Sequence, residues 1–147
     1  MDNRDEVEIL LVEDNMNDAE LAIRALRKQG ISDKLFHLKN GASALDYLFG
    51  TGEFEGRDTM NTPRLILLDL KMPKVDGIEV LQKIKSNDLT RKIPVVVLTS
   101  SKEHPDVEKC YELGANSYIV KPVQFDNFSK AVAEVGLYWL LYNHPSS

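Results

Sequence analysis

Acidic side chains follow two of the apolar runs in this sequence, where they could bind a metal ion together. Glu13 and Asp14 come directly after residues 8–12, and Asp69 comes directly after residues 65–68. Carboxylates brought to one place repel each other and resist joint ionisation unless a cation lies among them. Oxygen ligands without His or Cys favour Mg²⁺, or Mn²⁺ in its place, over zinc or copper. The pattern therefore predicts a site for a hard divalent cation.

Two further apolar runs end in side chains that suit a phosphoryl group. Residues 95–98 lead into Thr99, and residues 117–120 lead into Lys121. The hydroxyl of Thr99 donates a hydrogen bond and the ammonium of Lys121 supplies a compact positive charge, both matched to phosphoryl oxygens. Phosphoryl transfer depends mostly on positioning and charge neutralisation, and a carboxylate is an adequate nucleophile for it. We therefore predict phosphoryl transfer as the chemistry of the site.

The elements that must position these residues are five short apolar runs, each followed by a segment of helical periodicity. The runs are nearly continuous, as is typical of strands buried on both faces of a parallel sheet, and they cover residues 8–12, 35–38, 65–68, 95–98 and 117–120. We predict that the first helix is capped by Asn17, with Glu20 three residues on, and ends at Gly30. The chain is therefore expected to fold as (βα)₅.

Five units are too few for a closed eight-stranded barrel, which leaves one α/β architecture. We expect an open, doubly wound, five-stranded parallel sheet with helices on both faces. Ligands of such sheets bind beyond the carboxyl ends of the strands. The acids, Thr99 and Lys121 would all lie at that edge.

Charge and composition exclude several classes of function. The net charge of −5, from 18 basic and 23 acidic residues, leaves no electrostatic footprint for nucleic acid or for an anionic membrane. The single Cys110 has no partner for an internal disulfide, and no apolar stretch approaches membrane-spanning length. Since we find neither a secretory signal nor a linker, we expect residues 1–147 to form one cytoplasmic domain without an effector domain.

The joint pattern resembles the response regulator receiver family, and the resemblance covers nearly the whole chain. The motifs that carry it are the acidic pair Glu13-Asp14, the phosphoacceptor Asp69 within Leu67-Leu68-Asp69-Leu70-Lys71-Met72-Pro73, the turn Asp76-Gly77, the switch hydroxyl Thr99 and the pair Lys121-Pro122. The resemblance implies a flavodoxin-like fold and phosphorylation of Asp69 by a histidine kinase. It also implies that the protein is not an enzyme, except that it catalyses its own phosphorylation and dephosphorylation.

The same resemblance implies a role for each residue of the site. Asp14 and Asp69 would ligate Mg²⁺ directly with the backbone carbonyl of Lys71, while Glu13 would act mainly through water. Lys121 would pair with the acids at rest and with the phosphoryl group in the active state.

A switch mechanism is implied as well. As Thr99 moves toward the phosphoryl group, the ring of Tyr118 would turn inward and change the face formed by the fourth helix, fifth strand and fifth helix. Tyr118 could equally be an ordinary core aromatic, because aromatic side chains pack at such positions anyway. The Lys121-Pro122 peptide is cis in the family, and the small penalty for a cis X–Pro bond allows the same here.

Two further features resemble the stand-alone response regulators of cyanobacterial and other bacterial phytochromes. One is a long polar loop over residues 50–64, and the other is an apolar C-terminal extension over residues 136–147. Those relatives form dimers through the face of the fifth helix. We therefore expect a phytochrome-type kinase as partner and a homodimer, with an interface at near-heptad spacing made of Phe128, Val132, Val135, Trp139 and Tyr142.

Other interpretations stay open. A phosphorelay intermediate or a phosphate sink would carry the same residues, and the lifetime of the acyl phosphate would separate them from a switch. A docking module that works without phosphorylation would have lost one of the key residues of the site, and an aspartyl phosphatase would normally have a second Asp where this chain has Lys71. The three histidines are scattered, and we expect them to be packing or surface residues rather than ligands.

Overall fold

Five parallel strands form one sheet in the order β2-β1-β3-β4-β5. The computed structural model describes residues 7–31, 34–72, 75–100 and 105–137. Within these ranges the strands are β1 (Ile9–Val12), β2 (Leu35–Leu38), β3 (Leu65–Asp69), β4 (Val95–Thr99) and β5 (Ser117–Val120). The prediction of an open, doubly wound parallel sheet is confirmed.

Helices cover both faces of this sheet. They are α1 (Met16–Arg27), α2 (Gly41–Phe49), α3 (Gly77–Ser86), α4 (Pro105–Glu112) and α5 (Phe125–Glu134), and a 3₁₀ turn, Gly52–Phe54, follows α2. Within the described residues, no helix has both the length and the apolar character needed to cross a membrane.

The central strands are buried on both faces because their side chains alternate between two hydrophobic cores. In β1, Leu10 and Val12 belong to the core under α2 and α3, whereas Ile9 and Leu11 belong to the core under α1 and α5. Every residue of β1, β3 and β4 is buried. This explains why these strands are continuous apolar runs rather than alternating ones.

The strand register fixes which residues meet at the carboxyl edge of the sheet. Val12 of β1 lies opposite Leu68 of β3. The residues that follow them are Glu13 and Asp69, which therefore reach the edge side by side. Along the chain, β2 is added on one side of β1, and β3, β4 and β5 are added on the other side. Such a switch point between β1 and β3 opens a crevice for ligands.

Helix α1 begins two residues earlier than its predicted cap would place it. Asn15 is the N-cap, and its Oδ1 accepts a hydrogen bond of 3.0 Å from the backbone N–H of Asp18. Asn17, the predicted cap, already lies inside the helix. The prediction was wrong because both asparagines are followed three residues later by an acid, a spacing that does not distinguish them.

The long loop over residues 50–64 is anchored by one arginine. Helix α2 ends at Phe49, and its C-cap Gly50 adopts the left-handed conformation at φ 67°. Arg57 then donates from Nε to the carbonyl oxygen of Tyr47 at 2.5 Å and from a guanidinium nitrogen to that of Asn61 at 2.9 Å. The guanidinium also stacks 4.1 Å from the centroid of the Tyr47 ring. The loop is thus tied to the last turn of α2, whose carbonyl groups would otherwise lack partners.

The predicted interface on α5 needs a correction. Phe128 and Val132 are both fully buried in the core under α1 and α5, so their side chains pack within the protomer and are not available to a second copy. The near-heptad spacing did not indicate an interface, because a helix that packs against its own hydrophobic core repeats apolar residues at a similar spacing. Val135 is half-buried at the end of the helix. Trp139 and Tyr142 lie outside the described residues.

We expect Arg57→Ala to lower the free energy of unfolding by about 1–2 kcal/mol, because it removes carbonyl hydrogen bonds and a cation–π contact. Urea denaturation would measure the change. Arg24→Ala is the matched control: its ion pair with Glu20 is a surface pair with 72% of the arginine side chain exposed, so its loss should cost less than about 0.5 kcal/mol. Equal effects of the two substitutions would contradict the anchoring role of Arg57.

Candidate functional site

Three carboxylates converge at the carboxyl edge of the sheet. Glu13 and Asp14 follow β1, Asp69 ends β3, and each offers an oxygen within 4.8 Å of the others. We call these three residues the acid cluster. At an effective dielectric constant of about 20, two like charges at that separation repel by roughly 3 kcal/mol. The cluster therefore cannot hold three full negative charges without cations.

Lys121 supplies one of those cations from the end of β5. Its Nζ lies 2.9 Å from Glu13 Oε1, 3.0 Å from Asp69 Oδ1 and 3.1 Å from Asp18 Oδ2. The side chains of Glu13 and Asp69 are only 1% and 3% exposed, so these contacts are weakly screened by solvent. One ammonium thus serves three carboxylates and leaves the site with excess negative charge.

The excess charge appears in the pKa values of the site. Burial and a shared hydrogen bond with Asp69 raise the pKa of Glu13 to about 7. Burial and the proximity of Asp69 also raise the pKa of Asp14. Burial alone would lower the pKa of Lys121, but the carboxylates of Glu13 and Asp69 more than offset it, and the pKa is raised. Near neutral pH, the carboxyl group of Glu13 is therefore partly protonated, which reduces the negative charge of the cluster.

The acid cluster fits a divalent cation. Glu13 Oε1 is buried, and among the described residues no donor reaches it in hydrogen-bond geometry, although the Lys121 ammonium lies close. This oxygen shares the Lys121 ammonium with Asp18 and Asp69, so a metal ion or its bound water would give it a further partner. The donors are all oxygens, the set that Mg²⁺ and Mn²⁺ prefer.

The turn from β3 into α3 holds Asp69 in place through close backbone packing. The N–H of Gly77 donates to the carbonyl oxygen of Leu70 at 2.9 Å. A Cβ at Gly77 would overlap the carbonyl oxygen of Asp69, so only glycine allows this approach. Asp76 caps α3 by accepting from the N–H of Glu79 at 2.9 Å. The Asp76-Gly77 pair thus serves the geometry of Asp69 rather than the chemistry itself.

A cavity of about 70 Å³ opens beside Asp69. Thr99, Ser100 and Lys121 line it, together with Leu70, Lys71 and Leu98. Drug-sized ligands and cofactors occupy pockets of about 300–1,000 Å³, so this one suits a small polar group instead. Thr99 itself is 3% exposed, and its carbonyl oxygen accepts from the N–H of Lys121 at 2.7 Å.

The site residues named from the sequence are therefore brought together, with Tyr118 set apart from the cavity. The ring of Tyr118 is half-buried and packs edge-to-face with Tyr111 of α4, at 6.2 Å between centroids. Lys71 is exposed, and its backbone N–H lies 3.4 Å from Asp69 Oδ1. The Lys121-Pro122 peptide is cis.

The sequence of this chain matches one known protein family over most of its length. The model of the response regulator receiver domain matches residues 9–133. The chain belongs to the response regulator receiver family. The acid cluster, Thr99 and Lys121 all lie within the matched residues, as do all five strands of the receiver sheet.

Individual relatives of this receiver span most of its length. A probable methanogenesis regulatory protein, FilR2 of Methanothrix harundinacea, is 45% identical over 92% of this chain and 84% of its own. The response regulator Rcp1 of Synechocystis is 42% identical over 90% of this chain and 88% of its own. A crystal structure of the Mn²⁺-bound form of a response regulator named Rcp1 matches with a TM-score of 0.73, at 41% identity over 91% and 94% of the two chains. The bacteriophytochrome response regulator RtBRR matches with a TM-score of 0.84, at 50% identity over 93% and 82%.

Two contacts of this receiver site were not foreseen from the sequence. The Nε2 atom of His37 lies 2.8 Å from the backbone carbonyl oxygen of Glu13, so this histidine holds the backbone that follows β1. Asp18 accepts a hydrogen bond from Lys121 at 3.1 Å, although it stands 103 residues away in sequence. Neither role leaves a local signal, because the contacts join residues that lie 24 and 103 positions apart in the sequence.

We expect the metal-free receiver to lose stability as the pH rises from about 5 to about 8. In that window, the folded state keeps a proton on Glu13, whose pKa is about 7, while the unfolded chain has released it. Stability falls with pH wherever the folded state binds more protons. Replacement of the ionisable group in Glu13→Gln should remove about 1–3 kcal/mol of this decline.

Urea denaturation in EDTA at several pH values would measure the effect. Glu20→Gln is the control, because the Glu20 side chain is 65% exposed and should leave the slope unchanged. A slope equal in the native chain and Glu13→Gln would contradict the assignment of the proton to this site.

Proposed function

We propose that this receiver accepts a phosphoryl group on Asp69 from a histidine kinase, in a reaction that needs Mg²⁺. The observation that carries the proposal is the joint position of Asp69 and Lys121 on a cavity of about 70 Å³, next to a cluster of excess negative charge. The ammonium suits phosphoryl oxygens, and the acids suit the cation that must accompany them. The protein catalyses its own loading and unloading, and its product is a changed binding surface.

The acid cluster would hold the metal ion. Asp14 and Asp69 are the proposed direct ligands with the backbone carbonyl of Lys71, and Glu13 would act mainly through water. When bound, Mg²⁺ would neutralise charge on the phosphoryl oxygens. Its charge would also favour the ionised forms of Glu13 and Asp14, whose pKa values are raised by burial and by the proximity of Asp69.

The transfer itself needs one nucleophile and one leaving group. A carboxylate oxygen of Asp69 forms a bond to the phosphorus as the P–N bond of the phosphohistidine breaks, and the imidazole nitrogen keeps the electron pair. Lys121 moves from the carboxylate of Asp69 to a phosphoryl oxygen, and the Thr99 hydroxyl donates to another. Low exposure of Asp69 keeps bulk water away from the reacting atoms.

The proposed output is the face formed by α4, β5 and α5. Thr99 at the end of β4 would move toward the phosphoryl group, and the ring of Tyr118 on β5 would fill the space it leaves. That movement breaks the edge-to-face contact of Tyr118 with Tyr111, which is partly exposed on α4. The contact between the two rings thus links the state of Asp69 to a protein-binding surface.

The names of the relatives support a light-sensing kinase as the source of the phosphoryl group. Bacteriophytochrome response regulator RtBRR spans nearly the whole chain at 50% identity. We therefore propose a phytochrome-type histidine kinase as the partner, and a homodimer as the working form.

Intact mass spectrometry after incubation with acetyl phosphate tests the proposed reaction. We expect a gain of one phosphoryl group, about 80 Da, that requires Mg²⁺ and is absent in Asp69→Asn, because the carboxylate is the nucleophile. Asp88→Asn is the control, since that acid lies 93% exposed and far along the chain from the cluster. Light scattering on the same samples reports whether the mass doubles on phosphorylation.

Each outcome has a separate meaning. Absence of an adduct from acetyl phosphate and from a panel of phosphorylated histidine kinases would refute the phosphoryl-transfer function and favour a docking module. If Asp69→Asn were labelled to the same extent as the native chain, the phosphoryl acceptor would be a residue other than Asp69. An acyl phosphate that passes at once to a second protein, or decays within seconds, would favour the relay or sink over the switch.

A further inference from the structure

We propose that Asp18 is a positioning residue for Lys121, which keeps the ammonium at the cavity when the metal ion and the phosphoryl group arrive. The inference rests on the proposed phosphoryl transfer and extends it to a residue outside the acid cluster. Asp18 is the third residue of α1, and its Oδ2 accepts from Lys121 Nζ at 3.1 Å.

The carboxylate of Asp18 is available to bind Lys121 because Glu13 already accepts the hydrogen bond from the N-cap N–H. An acid at this position of a helix commonly reaches back to the backbone N–H of the N-cap residue. Here that N–H belongs to Asn15, and it donates to Glu13 Oε2 at 3.1 Å. Asp18 keeps only the backbone half of the cap, in which its own N–H donates to Asn15 Oδ1. Its side chain is thus directed to the lysine instead of the helix end.

The contact differs in kind from the other two that Lys121 makes. Glu13 and Asp69 belong to the acid cluster, and a divalent cation would compete with the ammonium for their oxygens. Asp18 does not belong to that group, so a divalent cation held by the acid cluster would leave its contact with Lys121 in place. It would also remain when the Asp69 carboxylate becomes an acyl phosphate, which removes the carboxylate charge and places negative charge on the phosphoryl oxygens instead.

An anchor of this kind matters because lysine is a flexible side chain. Fixing its four-carbon stem costs conformational entropy. If the ammonium is mobile before the reaction, that cost adds to the activation free energy of phosphoryl transfer. The Lys121 side chain is 16% exposed and the Asp18 side chain 31%, so the pair lies at the rim of the site with its ammonium directed inward. Asp18 therefore preorganises the charge that receives the phosphoryl oxygens.

The test compares Asp18→Ala with a matched variant of another helix. Glu79 occupies the same position of α3, and its backbone N–H is capped by Asp76 in the same way, but its side chain is exposed, and the ion pairs of Lys121 are with Glu13, Asp18 and Asp69. Glu79→Ala therefore removes the same favourable charge from a helix N-terminus without touching Lys121. Asp18→Glu restores a carboxylate that can reach the ammonium.

We expect Asp18→Ala to take up phosphoryl groups from acetyl phosphate about five- to tenfold more slowly at saturating Mg²⁺, because the ammonium is no longer held in place. Mn²⁺ affinity, measured by calorimetry, should change less than about threefold, since the ligands are intact. Asp18→Glu should recover at least half of the lost rate, and Glu79→Ala should match the native chain.

A double-mutant cycle with Lys121→Met decides whether the effect passes through the lysine. In the Lys121→Met background, Asp18→Ala should alter the slow residual rate less than about twofold, because no ammonium remains to be positioned. An equal loss in both backgrounds would overturn the proposal, as would unchanged or faster uptake by Asp18→Ala in the native background. Faster uptake would mean that Asp18 acts mainly by repelling the anionic donor.

A structural measurement separates failure of this inference from failure of the proposed function. If the native chain takes up no phosphoryl group, the proposed function fails. Crystal structures with Mn²⁺ then still test the anchor: the Lys121 ammonium should stay on Asp18 in the native chain and occupy several positions in Asp18→Ala. A single, unchanged position of the ammonium in both would overturn the role of Asp18.

Discussion

The repulsion among three carboxylates at one sheet edge is the constraint on which the rest of this structure depends. Glu13 and Asp69 are almost fully buried, so solvent does little to weaken their interaction. A single ammonium from Lys121 offsets part of the charge, and a proton near neutral pH offsets more. Lys121 and the proton therefore neutralise only part of the negative charge of the acid cluster. The charge that remains favours the binding of a cation.

The fold serves this constraint at several levels. Parallel pairing of β1 with β3 delivers two of the acids to neighbouring points, and the two hydrophobic cores hold those strands rigidly from both faces. Gly77 lets α3 approach the backbone of Asp69, and His37 braces the backbone of Glu13 from β2. Each contact fixes a carboxylate that would move apart from its neighbours if the backbone were free.

Much of this could be predicted from the sequence, because short buried strands and the residues at their ends leave strong local signals. The five strands, the open sheet and the meeting of the acids at one edge all follow from such signals. The pairing of Asp18 with Lys121 could not be predicted, since it depends on Glu13 taking the N–H of Asn15 first. The burial of Phe128 and Val132 was missed for another reason: one spacing of apolar residues serves both an interface and a core.

Linked proton release on Mg²⁺ binding is the measurement that tests the central claim most directly. Titration calorimetry in buffers of different ionisation enthalpy gives the number of protons released for each ion bound. Because the pKa of Glu13 is about 7 without metal, the account predicts release of close to one proton at pH 6 and almost none at pH 8.5. Binding without proton release at pH 6, or no binding at either pH, would contradict it.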